Sequence, residues 1–139
     1  MLKDCIGKYY FDGNYNCAES VLRAANDYYH LDLHDRDMKL VGAYGAGIQT
    51  GSTCGALLGA AAVLSMLYIK EKAHESDDIK PVVTRLSEKF MQEYHSYLCS
   101  DVKPQSFKEG VRCLAAVNMT CDLLEKTIEE YEAEIAAIL

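Results

Sequence analysis

From Cys54 to Ile69 the chain carries no charged side chain, and its apolar run is interrupted only by Gly55, Gly59 and Ser65. A bilayer span takes about twenty apolar residues, so this stretch is too short to cross a membrane. It is also well beyond the roughly four to eight residues of a buried strand. A segment that is apolar all round reads as a helix enclosed by other elements, and the remaining sequence supplies them. Ala18, Val21, Leu22, Ala25 and Tyr28 step by threes and fours behind Asn14 or Asn16, either of which can cap a helix ending near Tyr29. A second stripe comprises Ile79, Val82, Val83, Leu86, Phe90, Tyr94 and Tyr97. It starts at Asp77 or Asp78, tolerates Pro81 in its first turn and ends near Cys99. Val117, Cys121, Leu124, Ile128, Tyr131 and Ile135 form a third, with Gly110 just ahead of it and Glu and Lys on the opposite side. A shorter segment lies near Met38 to Tyr44, Ser52 or Thr53 can cap the apolar helix, and Pro104 marks a loop. No stretch alternates as a strand does. The expectation is an all-α, single-domain helical bundle of four to five helices across residues 1–139.

A chain of 139 residues buries roughly 70% of its unfolded surface as one domain and needs no disulfide to fold. Lys and Arg number 14 against 21 Asp and Glu, a net charge of −7, which excludes a phosphate-tracking nucleic-acid binder. No apolar stretch follows the charges of Met1 to Cys5, so no secretory signal is read there and the expected location is cytoplasmic, without membrane insertion. Six cysteines remain to be explained. In a reducing compartment a cysteine-rich chain points to metal binding or redox chemistry before structural disulfides.

Cys17 follows the Asn cap, Cys54 follows Ser52-Thr53, and Cys113 comes soon after Gly110, so three cysteines fall near helix N-termini. Free N–H groups there favour negative charge and can lower a thiol pKa from about 8.5 to roughly 3.5–7.5. Cys99 is the exception, at the expected end of its helix. Cys121 sits on an apolar stripe and reads as core, and Cys5 as a bystander. The run Gly45-x-Gly47-x-x-x-Gly51 reads as a tight turn between helices, because a dinucleotide loop needs a βαβ unit that is absent. Gly51, Gly55 and Gly59 recur every fourth residue, a small face suited to the bundle core, with a homodimer seam as the alternative. His95 precedes Cys99 by four residues and reads as a surface histidine beside Glu93.

Gly13-Asn14-Tyr15-Asn16-Cys17-Ala18, then Cys54-Gly55-Ala56-Leu57-Leu58-Gly59, then Cys99 after Tyr97-Leu98 and Cys113 after Val111-Arg112 form an ordered set. In these features the chain resembles the small bacterial and archaeal C_GCAxxG_C_C family, defined by four cysteines and a C-G-A-x-x-G motif. For that family a cysteine-based redox role is proposed. The resemblance covers nearly the whole chain and implies Cys17, Cys54, Cys99 and Cys113 as the functional cysteines, leaving Cys5 and Cys121 without a role.

Two chemistries compete for these residues. Four thiolates complete the ligand set of an iron–sulfur cluster or tetrahedral zinc, with Gly51 and Gly55 letting backbone approach the cofactor. That site would serve electron transfer or redox sensing with an unidentified redox partner. The alternative is metal-free thiol–disulfide exchange, with Cys54 and Cys17 as the reacting thiols. No C-x-x-C pair is present for either, so the fold must gather the sulfurs. A helical interaction module whose cysteines only pack is the third reading.

Overall fold

In the computed structural model, which describes residues 1–139, the chain forms six α-helices joined by short 3₁₀ and π turns, with no strand. The apolar run forms α3 (Gly55–Tyr68) at the centre, with Ala56, Leu57, Ala60, Val63 and Leu64 buried. Helix α1 (Cys17–Tyr29) packs most closely against it, and α4 (Ile79–Tyr94) and α6 (Leu114–Ile138) also lie on it. Helix α2 (Asp35–Met38) is a single turn, and α5 (Cys99–Ser106) is a short helix between α4 and α6. No helix is long and apolar enough to cross a membrane.

The count exceeds the expected four to five because the helix expected to end near Cys99 stops at Tyr94 and a further helix forms over Cys99–Ser106, where the sequence pattern places a loop. At His95 the backbone turns left-handed, with φ 58°, while its N–H still bonds Met91 O, which closes α4. Ser96 Oγ then accepts from the Leu98 N–H and donates to Asp101, which starts α5 at Cys99. Pro104 therefore lies inside a helix and not in a loop. Tyr97 falls in the connection and is exposed, so it does not belong to the α4 stripe. Val82, Leu86, Phe90 and Tyr94 do belong to it and are buried.

Asn16 is the cap of α1. Its side chain accepts from the Glu19 N–H, and Glu19 returns the bond to the Asn16 N–H. Asn16 Nδ2 also donates to Gly42 O, which fastens the helix start to the segment before the glycine loop. Ala18, Val21, Leu22 and Ala25 are buried as expected. Tyr28 is exposed, and Tyr29 instead packs against the core. On α3, a Cβ at Gly59 would stand 2.7 Å from Ala18 O. The small residues of the C-G-A-x-x-G motif thus form the α1–α3 seam inside the bundle, whereas Gly51 lies outside the helix in the preceding turn.

The N-terminal segment closes the core from below, with Leu2, Ile6 and Tyr10 buried and the Leu2 N–H donating to Glu125 of α6. Helices α4 and α6 run antiparallel, joined at their edges by Arg85–Glu134, Lys89–Glu130 and Tyr131–Asp78. The acidic run of α6 is therefore exposed but also paired across to α4. Such surface pairs contribute about 0–1 kcal/mol each, so the buried apolar faces carry most of the stability.

Candidate functional site

All six cysteines are free thiols, and four of them lie where loop and helix starts converge. Cys17 is the first residue of α1, Cys54 caps α3, Cys99 is the first residue of α5, and Cys113 caps α6. Cys99 thus opens a helix where the sequence pattern expects it to close one, and the reason for setting it apart from the other three disappears. The expected caps Ser52 and Thr53 do not cap α3. They form a short antiparallel strap, in which Thr53 bridges Leu98. The Cys54 N–H donates to Tyr97 O at 2.7 Å, and the Cys99 N–H donates to Ser52 O at 2.6 Å. This strap fastens the start of α3 to the start of α5 and brings two of the cysteines onto one small patch of backbone. His95 is exposed on the far side of the connection, and no helix joins it to Cys99.

Cys113 is held by a different device. Its N–H donates to Tyr10 Oη at 3.0 Å, and the neighbouring Arg112 guanidinium stacks on the Tyr10 ring at 4.1 Å and donates to Tyr10 O. Arg112 adopts φ 50°, a left-handed conformation stabilised by these two contacts. Nothing in the local sequence around Cys113 signals Tyr10, which lies at the other end of the chain.

The expected lowering of the thiol pKa values does not occur. Burial pushes Cys17 and Cys113 up, and it pushes Cys54 up to about 11. Backbone N–H groups do face the sulfurs: those of Leu57 and Ala56 at Cys54, and those of Ala46 and Ala18 at Cys17. They oppose the shift without reversing it, because removal from water costs a thiolate more than these partners return. At Cys54 they make no capping hydrogen bond. Neighbouring thiols add to the rise at Cys17, Cys54 and Cys113. Cys99 acts on Cys17, Cys54 and Cys113, and Cys17 acts on Cys54 and Cys113. Each of these pairs includes Cys17 or Cys99, so the four sulfurs, on four helices, gather around those two.

The glycine turn is the floor of this group. Ala46, Gly47, Ile48 and Gln49 all have positive φ, at 52°, 63°, 57° and 62°, a full left-handed turn. For L-residues each such position costs about 1–2 kcal/mol, most at a β-branched residue such as Ile48. The geometry is imposed by close packing. A Cβ at Gly47 would lie 2.5 Å from Ser52 backbone and 2.7 Å from Cys99 Cβ. A Cβ at Gly55 would lie 2.6 Å from Cys17 Sγ and 2.7 Å from Tyr44 O. Gly55, expected to admit a cofactor, instead admits the Cys17 sulfur. Gly51 lines an open cleft of about 570 Å³ together with Ala46, Gln49, Cys99, Ser100, Lys103, Pro104 and Phe107. Lys103 and Phe107 escape a sequence reading because Pro104 disguises α5 as a loop.

Cys121 and Cys5 stand apart. Cys121 is fully buried on α6, and burial raises its thiol to about 12. Cys5 is half-buried in the N-terminal turn. The donor chemistry of the four-thiol group suits zinc or a cluster. As the side chains are arranged, however, no three His, Cys, Asp or Glu residues form a group that can hold a metal ion.

The family model described as "Putative redox-active protein (C_GCAxxG_C_C)" matches residues 15–127 of the chain, a span that contains all four of these cysteines and excludes Cys5. No curated protein and no solved structure matches it.

Proposed function

The chain belongs to the C_GCAxxG_C_C family of redox-active proteins, and on that premise we propose that Cys17, Cys54, Cys99 and Cys113 form a thiol–disulfide redox centre. The observation that carries this reading is the convergence of thiol-bearing helix starts, with the backbone strap joining Cys54 to Cys99, Gly47 packed on Cys99 and Gly55 packed on the Cys17 sulfur. Burial keeps the reduced thiols neutral, and oxidation to a disulfide leaves the buried group equally uncharged, so both redox states fit the same site. Cys99 borders the open cleft and is the thiol that exchanges with the partner, and Cys17 is the resolving thiol. A reducing compartment such as the cytoplasm matches a chain whose cysteines are all free.

The test is purification without oxygen, a visible spectrum, metal and acid-labile sulfide analysis, and thiol counting before and after a mild oxidant. The expected protein is colourless and metal-free and loses two or four thiols reversibly within one chain. Broad visible absorbance with iron and sulfide would replace this reading with a four-thiolate cluster. Zinc alone would replace it with a structural site. Thiols that resist both oxidant and alkylation in the folded state would leave a helical interaction module.

A further inference from the structure

The cleft beside Cys99 carries a sign. Lys103 is the one charged residue in its lining, one helical turn beyond Cys99 on α5. It forms no salt bridge, and its ammonium lies 5.1 Å from the centre of the Phe107 ring. A lone positive charge beside a thiol stands out on a molecule whose net charge is −7. The rest of the wall is neutral. Gln49 donates its side-chain amide to Gly45 O and Phe107 is half exposed, offering an apolar face to a small molecule. A cleft of about 570 Å³ suits a small ligand and is too small for a folded domain.

We propose that this cleft binds a small disulfide bearing carboxylates, with Lys103 on a carboxylate and Cys99 on the disulfide. The proposal rests on the thiol–disulfide reading above and names its oxidant. In the first step the Cys99 sulfur attacks one sulfur of the ligand, whose S–S bond breaks. The other half leaves as a free thiol, carrying away the proton that Cys99 gives up. In the second step the Cys17 sulfur attacks Cys99 in the mixed disulfide and expels the remaining half as a second thiol, which takes the Cys17 proton. Two protein thiols are oxidised and one ligand disulfide is reduced, with two electrons and two protons transferred. One dipeptide lies against both cysteines: the Ala46 N–H faces the Cys17 sulfur, and Gly47 packs against Cys99 Cβ.

The experiment reacts the reduced, full-length protein without oxygen with glutathione disulfide, which is anionic, and cystamine, which is cationic. Adducts are read by intact-mass and peptide mass spectrometry. Diamide, which oxidises dithiols without using the cleft, serves as the control. The expected result is faster oxidation by the anionic disulfide, with the anion-to-cation rate ratio falling about fivefold in Lys103→Gln, the scale of one exposed charge pair. Cys17→Ser should accumulate the mixed disulfide on Cys99. Equal rates with the two disulfides, or a ratio that Lys103→Gln leaves unchanged, would overturn the proposal while diamide oxidation kept the redox centre. A chain that none of the three reagents oxidises would overturn both. Lys103 is exposed, so its variant is expected to fold, and its diamide rate reports whether the thiol group is intact.

Discussion

At the scale of single residues, burial separates the six cysteines more sharply than their spacing does. Cys54 and Cys121 are both nearly inaccessible, but only Cys54 belongs to the four-thiol group. Cys99→Ser is expected to abolish reversible thiol loss, and Cys121→Ala to preserve it while lowering stability by about 1–2 kcal/mol for the lost sulfur. Thiol counting on both variants checks this, and equal loss of redox behaviour would end the division. The raised thiols also set an alkaline limit. A group whose folded pKa lies above its unfolded value of 9.0 contributes full stability below that value and loses it as pH rises through the folded one. With Cys54 at about 11 and Cys121 at about 12, stability should fall between pH 9 and 12. The slope is at most about 1.4 kcal/mol per pH unit for each group. Urea unfolding of the reduced protein at pH 8 and pH 10 measures it, and Cys121→Ala should shallow the slope.

Among the elements, the left-handed turn and the α1–α3 seam are the parts least tolerant of change. Gly59→Ala would push a methyl group against the Ala18 backbone, which cannot move without the whole of α1. A loss of about 2–3 kcal/mol in urea unfolding is expected, the cost of overpacking a closed site. Ile48 makes the opposite case. Its φ of 57° is strained for a β-branched side chain that is largely exposed and lies outside the core. Ile48→Gly should therefore stabilise the fold by about 0.5–1 kcal/mol, because relief of strain exceeds glycine's added chain entropy. A lower unfolding midpoint in that variant would mean that the turn is held by more than packing around Gly47. The α5 start is more robust, resting on the Ser96 turn and the backbone strap, neither of which depends on a large side chain.

For the molecule as a whole, the site depends on contacts that span almost the entire chain. Tyr10 and Cys113 meet through one hydrogen bond, and Leu2 and Glu125 through another. Residues 1–14 lie outside the family match, and yet they hold Leu2, Ile6 and Tyr10 in the core. Tyr10→Phe removes the acceptor of the Cys113 N–H and leaves a partly buried donor unpaired, at a cost of about 1–3 kcal/mol. The variant should also alkylate faster at Cys113 than the parent protein does, because the start of α6 loosens. Peptide mass spectrometry after a short iodoacetamide pulse reads this, and an unchanged Cys113 rate would show that Arg112 stacking alone positions it.

The helical class, the central α3, the Asn16 cap and the core role of Cys121 were all legible in the sequence, because each depends on periodicity or on partners within a few residues. Asn16 needs only Glu19, and the apolar run is one helix long. The grouping of Cys17, Cys54, Cys99 and Cys113 is what the family resemblance implies, through their order and the C-G-A-x-x-G motif. Tertiary structure alone decided the rest. A thiol pKa is set by water excluded by distant elements, so local helix starts at Cys17 and Cys54 pointed down where burial drives the value up. The end of α4 at His95 rests on a left-handed residue and a serine turn, which apolar periodicity does not encode, and Pro104 concealed the helix that follows. The cleft joins Gly51 to Lys103 and Phe107 across half the chain, and only packing brings such residues together.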